Sequence, residues 1–177
     1  MKTNMLWRAL LAGWLGSGVS AAWAHGNQPH AGESRSAEKA VDAEQTAWGI
    51  AGLPGQVTHT ITLDMTDAMR FSPDRIVVKE GDTVRLIVRN TGRMLHEVVI
   101  GTPDALAEHA ALMARFPGME HDAPHMAHVS PGKQAEIIWR FNRAGTFEFA
   151  CLIAGHYEAG MRGSIVVTPL STQGNAK

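Results

Sequence analysis

The chain has 177 residues, with 16 Lys and Arg against 17 Asp and Glu, and a single cysteine. A near-neutral balance removes the electrostatic reason to expect nucleic acid as a partner, and the lone thiol has no partner for a disulfide within the chain. The length suits one domain with a real core.

The first 24 residues read as a secretory signal peptide. Lys2 and Arg8 supply the positive start, Ala9 to Val19 an apolar stretch, and Ala22-Trp23-Ala24 a small-x-small cleavage site. The stretch is too short and too glycine-rich for a lasting membrane span, and no other segment qualifies. With no cysteine near the cleavage site, a lipid-modified terminal Cys is excluded. The expected location is a bacterial periplasm. Residues 25–55 follow as a flexible leader rich in Ala, Gly, Glu and Ser, on which Trp48 and Leu53 are candidates to dock on the domain. His25, first after cleavage, offers an amine and an imidazole for metal chelation, against the plainer reading of a solvated polar tail.

From residue 56 to 170 the pattern changes to short β runs. "QVTHTITLDM" alternates and is β-branched. "RIVVKEGDTVRLIVRNTG" holds two runs around a turn at Glu80-Gly81-Asp82, and in the second Val84, Leu86 and Val88 share one face. "LHEVVIG" is a further strand. "QAEIIWRF" aligns Ala135, Ile137, Trp139 and Phe141, "GTFEFAC" aligns Phe147, Phe149 and Cys151, and "GSIVVTP" closes the domain. About seven short strands separated by turn signals predict an all-β, antiparallel two-sheet sandwich. One helix interrupts it, from a Thr102 cap through Pro103 at the first helical position to about Phe116. Residues 171–177 read as a disordered tail.

An exported protein gains nothing from an exposed free thiol, so Cys151 is either a small buried hydrophobe or a metal ligand. Parity separates the two. Cys151 shares a face with Phe147 and Phe149, His96 with Val98 and Ile100, and Met161 with Ile165 and Val167 if the last strand extends back that far. His156 lies in the loop between the last two strands and can fold over the same end. Two imidazoles, a thiolate and a weak axial thioether describe a blue-copper electron-transfer centre. Zinc competes as a metal, although structural zinc sites rarely include methionine. A catalytic Cys-His pair needs an oxyanion hole and an orienting group, and no such signature surrounds Cys151.

"FACLIAGHYEAGMRGSIVV", taken with "FSPDRIVVKEGDTVRLIVRNTGRMLHEVVIG", resembles the cupredoxin (plastocyanin/azurin-like) family. The resemblance implies a Greek-key β-sandwich and one copper ion (Cu+/Cu2+) held by His96, Cys151, His156 and Met161. Many cupredoxins follow the first histidine with an asparagine that ties the two ligand loops together; here that position is Glu97. The shell behind the ligands must then be built in another way.

The insertion "HAALMARFPGMEHDAPHMAHVSPGK" resembles a segment of periplasmic cupredoxins associated with copper tolerance. Its His109, Met113, Met119, His121, His125, Met126 and His128 are candidates for a second, weaker copper site. Met113, in helical register with Leu106 and Ala110, has the spacing of a core residue instead, and Met94 is a candidate for the rim of the main site. Two roles fit. One is a copper-tolerance protein that cycles Cu(I) and Cu(II). The other is a diffusible one-electron carrier to a periplasmic reductase or oxidase, with Leu152, Ile153, Ala154 and Tyr157 as an apolar rim around His156. An enzyme is not expected, because multicopper oxidases and nitrite reductases need further cupredoxin domains.

Overall fold

The computed structural model describes residues 44–116 and 122–170. The signal-peptide segment, His25, Met119, His121 and the tail at 171–177 lie outside them. The described chain forms ten strands and one α-helix: β1 (Ile50–Ala51), β2 (His59–Thr66), β3 (Arg70–Ser72), β4 (Arg75–Lys79), β5 (Thr83–Asn90), β6 (His96–Gly101), α1 (Pro103–Arg115), β7 (Met126–Val129), β8 (Gln134–Arg140), β9 (Gly145–Ala150) and β10 (Arg162–Thr168). They make two five-stranded sheets, ordered β1-β8-β5-β2-β3 and β4-β10-β9-β6-β7. The expected all-β sandwich is therefore present.

Its pairing is mixed, with β2 parallel to β5 and β10 parallel to β4 among otherwise antiparallel neighbours. The chain leaves the first sheet after β3, runs through β4 in the second, and returns as β5 beside β2. A strand that comes back after visiting the other layer arrives in the same direction as its neighbour, which period-two patterning does not report.

Alternation sets the core as expected. Val84, Leu86 and Val88 of β5 face Ile137 and Trp139 of β8 and Phe147 and Phe149 of β9 in one buried cluster that also contains Cys151 and Met161. β6 departs from simple alternation, because all six of its residues are buried. Val98 and Ile100 enter the main core, while Val99 packs on the other side with Leu106 and Met113 of α1, Met126, Ala150 and Leu152. The inserted helix thus covers the outer face of β6, which a strand with one face in water would leave polar. α1 begins as its sequence predicts, with Thr102 Oγ1 accepting from the Ala105 N–H at 3.2 Å and Pro103 at its first position.

Residues 44–55, read as part of the leader, are built into the domain. Ile50 and Ala51 pair with Arg140 and Trp139. The Trp139 indole N–H donates to the Trp48 carbonyl at 3.1 Å. A two-residue strand has no periodicity to detect, so composition outweighed it.

Candidate metal centre

Four separate pieces of chain meet at one end of the sandwich. His96 opens β6, Cys151 follows the last residue of β9, His156 sits in the turn beyond it, and Met161 immediately precedes β10. His96, Cys151 and Met161 are fully buried, and His156 is half-buried. One ligand atom from each of His96, Cys151 and His156 lies within 4.8 Å of the others. The Cys151 Sγ is 3.2 Å from His156 Nδ1, and the two imidazole centroids are 5.1 Å apart.

The backbone explains why Cys151 and Met161 close the turn between them. The Cys151 N–H donates to the Met161 carbonyl at 3.0 Å, and the Met161 N–H donates to the His156 carbonyl at 3.0 Å. One residue is hydrogen-bonded to both candidate ligands beside it in the turn. At the far side of the turn the Arg70 guanidinium donates to the Ala159 carbonyl at 2.9 Å, and Gly160, at φ +91°, leaves that guanidinium room.

His96 is oriented from behind. Its Nε2 lies 3.2 Å from Asp67 Oδ1. The same carboxylate accepts the Arg93 N–H at 2.8 Å and the Met94 N–H at 3.2 Å, so it organises the loop between β5 and β6 as well. These contacts, led by the Arg93 amide, hold the Asp67 carboxyl below its ordinary value. A Cβ on Gly92 would collide with the Asp67 carboxylate, so only glycine allows this approach. Buried Asn90 completes the loop by donating to the Met94 and Val129 carbonyls at 2.7 and 2.8 Å. No spacing rule points to Asp67, which lies 29 residues before the histidine it orients.

With Nε2 engaged, the other nitrogen of His96 decides what the site is for. His96 Nδ1 is buried and has no hydrogen-bond partner. A buried polar atom left unpaired is costly unless something absent from the coordinates satisfies it. Ligand bonds of about 2.0–2.3 Å around a three-coordinate ion place the ligand atoms about 3.5–3.7 Å apart. The observed cluster is of that size, and its soft sulfur with two imidazoles suits copper. Burial pushes the Cys151 thiol up to about 12, with a smaller upward contribution from the Glu97 charge and opposing help from the Glu97 and Ile153 amides. Burial, then the neighbouring His96, lowers His156, against a weaker pull from Asp67.

A family model for copper-binding proteins of the plastocyanin/azurin type matches residues 57–168. The chain belongs to that family. It is 42% identical over 171 residues to the copper-resistant cuproprotein CopI of Rubrivivax gelatinosus, covering 94% of this chain and 99% of that one. It is 34% identical over 160 residues to the copper-resistant cuproprotein CopI of Pseudomonas aeruginosa, covering 74% and 88%. Among solved structures it is similar to dithionite-reduced auracyanin of Roseiflexus castenholzii, with a TM-score of 0.56 at 22% identity over 64% of this chain and 99% of that one. That last likeness concerns the cupredoxin fold.

Glu97 takes up the tie that many cupredoxins make with asparagine. It is fully buried beside His96. Its N–H donates to Cys151 Sγ at 3.4 Å, and its Oε1 accepts the Leu152 N–H at 2.8 Å. Its Oε2 lies 2.8 Å from His128 Nε2.

The inserted His and Met residues do not gather. Met113 and Met126 are buried in the cluster under α1. The His125 ring stands edge-on to Trp48 and Trp139, with centroids 5.3 and 5.6 Å away, and His128 faces Glu97. Among the described residues, the cluster of His96, Cys151 and His156 is the one group of three or more His, Cys, Asp or Glu placed to share a metal. Pattern reading counted side chains of the right type without knowing that packing disperses them. Leu152, expected at an apolar rim, is 1% exposed and belongs to the same cluster under α1. Met94 is 39% exposed and Leu95 46%, on the loop that presents His96.

Proposed function

We propose that this cupredoxin is an exported, periplasmic copper protein that takes part in copper tolerance. The unpartnered Nδ1 of buried His96, aimed at a thiol and a second imidazole, carries the reading. His96, Cys151 and His156 would hold one copper, and Met161, tied by its backbone to the Cys151 and His156 segments, is the axial ligand. Bound there, copper supplies one-electron Cu(I)/Cu(II) chemistry, and the protein acts by binding and cycling the ion rather than as an enzyme.

The chain's own residues keep that site dry and rigid. The main core closes it from below, Asp67 fixes the His96 ring, and Glu97 fixes the cysteine segment. A rigid site cannot reshape itself for one oxidation state at the expense of the other. His156, the one partly exposed member, is where electrons or ions meet the surface. Likeness over nearly the whole chain to two copper-resistant cuproproteins supports tolerance as the role.

The test is growth. Deleting the gene should lower the copper concentration at which cells stop growing, and a plasmid copy should restore it. A copy with Cys151→Ala should not. Unchanged growth in high copper, together with loss of a respiratory pathway, would overturn tolerance in favour of the one-electron carrier.

A further inference from the structure

The insertion between β6 and β8 is joined to the metal centre through one buried ion pair. In the β6–β7 pairing Glu97 and His128 are register partners, so their side chains leave the sheet on the same side. That side carries Val99, Leu106 and Met126, the cluster formed by the helix and the returning strand. The Glu97 carboxylate is sealed there, and His128, 31% exposed, reaches it from the surface strand. A buried carboxylate needs full hydrogen bonding, and removing one partner leaves a charge without compensation. Here Leu152 N–H serves Oε1 and His128 serves Oε2.

Leu152 directly follows Cys151, and the Glu97 N–H itself touches the thiol sulfur. Movement of the Glu97 side chain therefore moves the cysteine segment. It also moves the donor that polarises the sulfur.

We propose that Glu97 and His128 form a latch through which the inserted segment positions Cys151, with Glu97 and His128 acting as positioning residues for the copper thiolate. This rests on the copper reading above. The insertion then sets the copper site's geometry through His128, in addition to covering β6. The Glu97 carboxylate, beside the thiolate, favours Cu(II) over Cu(I), because a nearby anion stabilises the higher positive charge.

The experiment compares the full-length protein with His128→Ala, His128→Gln and Glu97→Gln. In the copper-free protein, exchange of the Leu152 amide hydrogen reports the latch directly. In the copper-loaded protein, the sulfur-to-copper charge-transfer band and the midpoint potential report the thiolate. His128→Ala should speed Leu152 exchange about tenfold, the loss of roughly one charge-assisted hydrogen bond, and should move the band. His128→Gln, which keeps a nitrogen donor for Oε2, should return both toward wild type. Glu97→Gln keeps an acceptor for Leu152 but removes the charge, so it should raise the midpoint potential.

Equal effects of the alanine and glutamine variants at 128 would mean that bulk packing, not the latch, holds the segment. An unchanged potential in Glu97→Gln overturns the proposal even if the alanine variant fails to fold. A wild-type protein that takes no copper overturns the copper reading instead, and the Leu152 exchange ranking then still decides whether the latch exists.

Discussion

Replacing Asp67 with alanine separates a ligand-orienting role from a loop-holding one. The carboxylate makes three contacts: His96 Nε2 at 3.2 Å, and the Arg93 and Met94 amides at 2.8 and 3.2 Å. Removing it frees the fully buried His96 ring to rotate, so that Nδ1 no longer points at Cys151 and His156. Loss of such an outer partner typically weakens metal binding by about 10- to 100-fold. The Asp67 side chain is 36% exposed, so solvent screens part of its effect and the lower end, about tenfold, applies. Copper affinity measured by competition with a chelator, beside thermal unfolding of the copper-free protein, gives the answer. Affinity should fall while the copper-free protein still unfolds cooperatively. Wild-type affinity in a variant that melts earlier would refute the reasoning, because Asp67 would then only hold the loop.

Gly92→Ala should lower copper affinity in the same sense, since the added carbon displaces the Asp67 carboxylate; wild-type affinity would show that the loop moves aside freely. Met161→Leu should keep copper and shift its midpoint potential, and loss of all binding would assign the methionine a structural role. Because the buried Cys151 thiol is raised to about 12, the metal-free protein keeps it protonated at every pH below that value. Copper binding at pH 7 should therefore release about one proton from this thiol, measurable in weakly buffered solution. Asp64, lowered chiefly by its hydrogen bond from Arg89 at 2.6 Å, tests acid stability. Its depressed folded value means a contribution present above the ordinary 3.8 and lost as pH falls through the folded value. Asp64→Asn should cost under about 1 kcal/mol at pH 7, since the pair is surface-exposed. Denaturant unfolding should show the gap closing in acid.

The sandwich was readable because half-buried strands write their faces into alternate residues, as Val84, Leu86 and Val88 do. The helix was readable because Thr102 and Pro103 mark its start chemically. His96, Cys151 and His156 were readable because their residue types suit one chemistry and their strand parities agree. Other features depend on tertiary contacts that leave no local mark. β1 is too short for a period, and the parallel pairings follow from the route between sheets. Asp67 reaches His96 across a turn far away in sequence. Glu97 was visible as a departure at a known position, but its partner His128 became visible only through strand register. The insertion's methionines and histidines carried the right composition for a second copper site. Met113 and Met126 instead fill a core, and His125 stands against two tryptophans, because burial of apolar area decides their positions.

The central claim is that Cys151 binds copper together with His96 and His156. Copper content and a visible absorption spectrum of the protein purified from periplasm, beside the Cys151→Ala variant, test it most directly. The account predicts one copper per chain, with an intense sulfur-to-copper band that vanishes in the variant. A variant that is loaded with copper and keeps that band would contradict it.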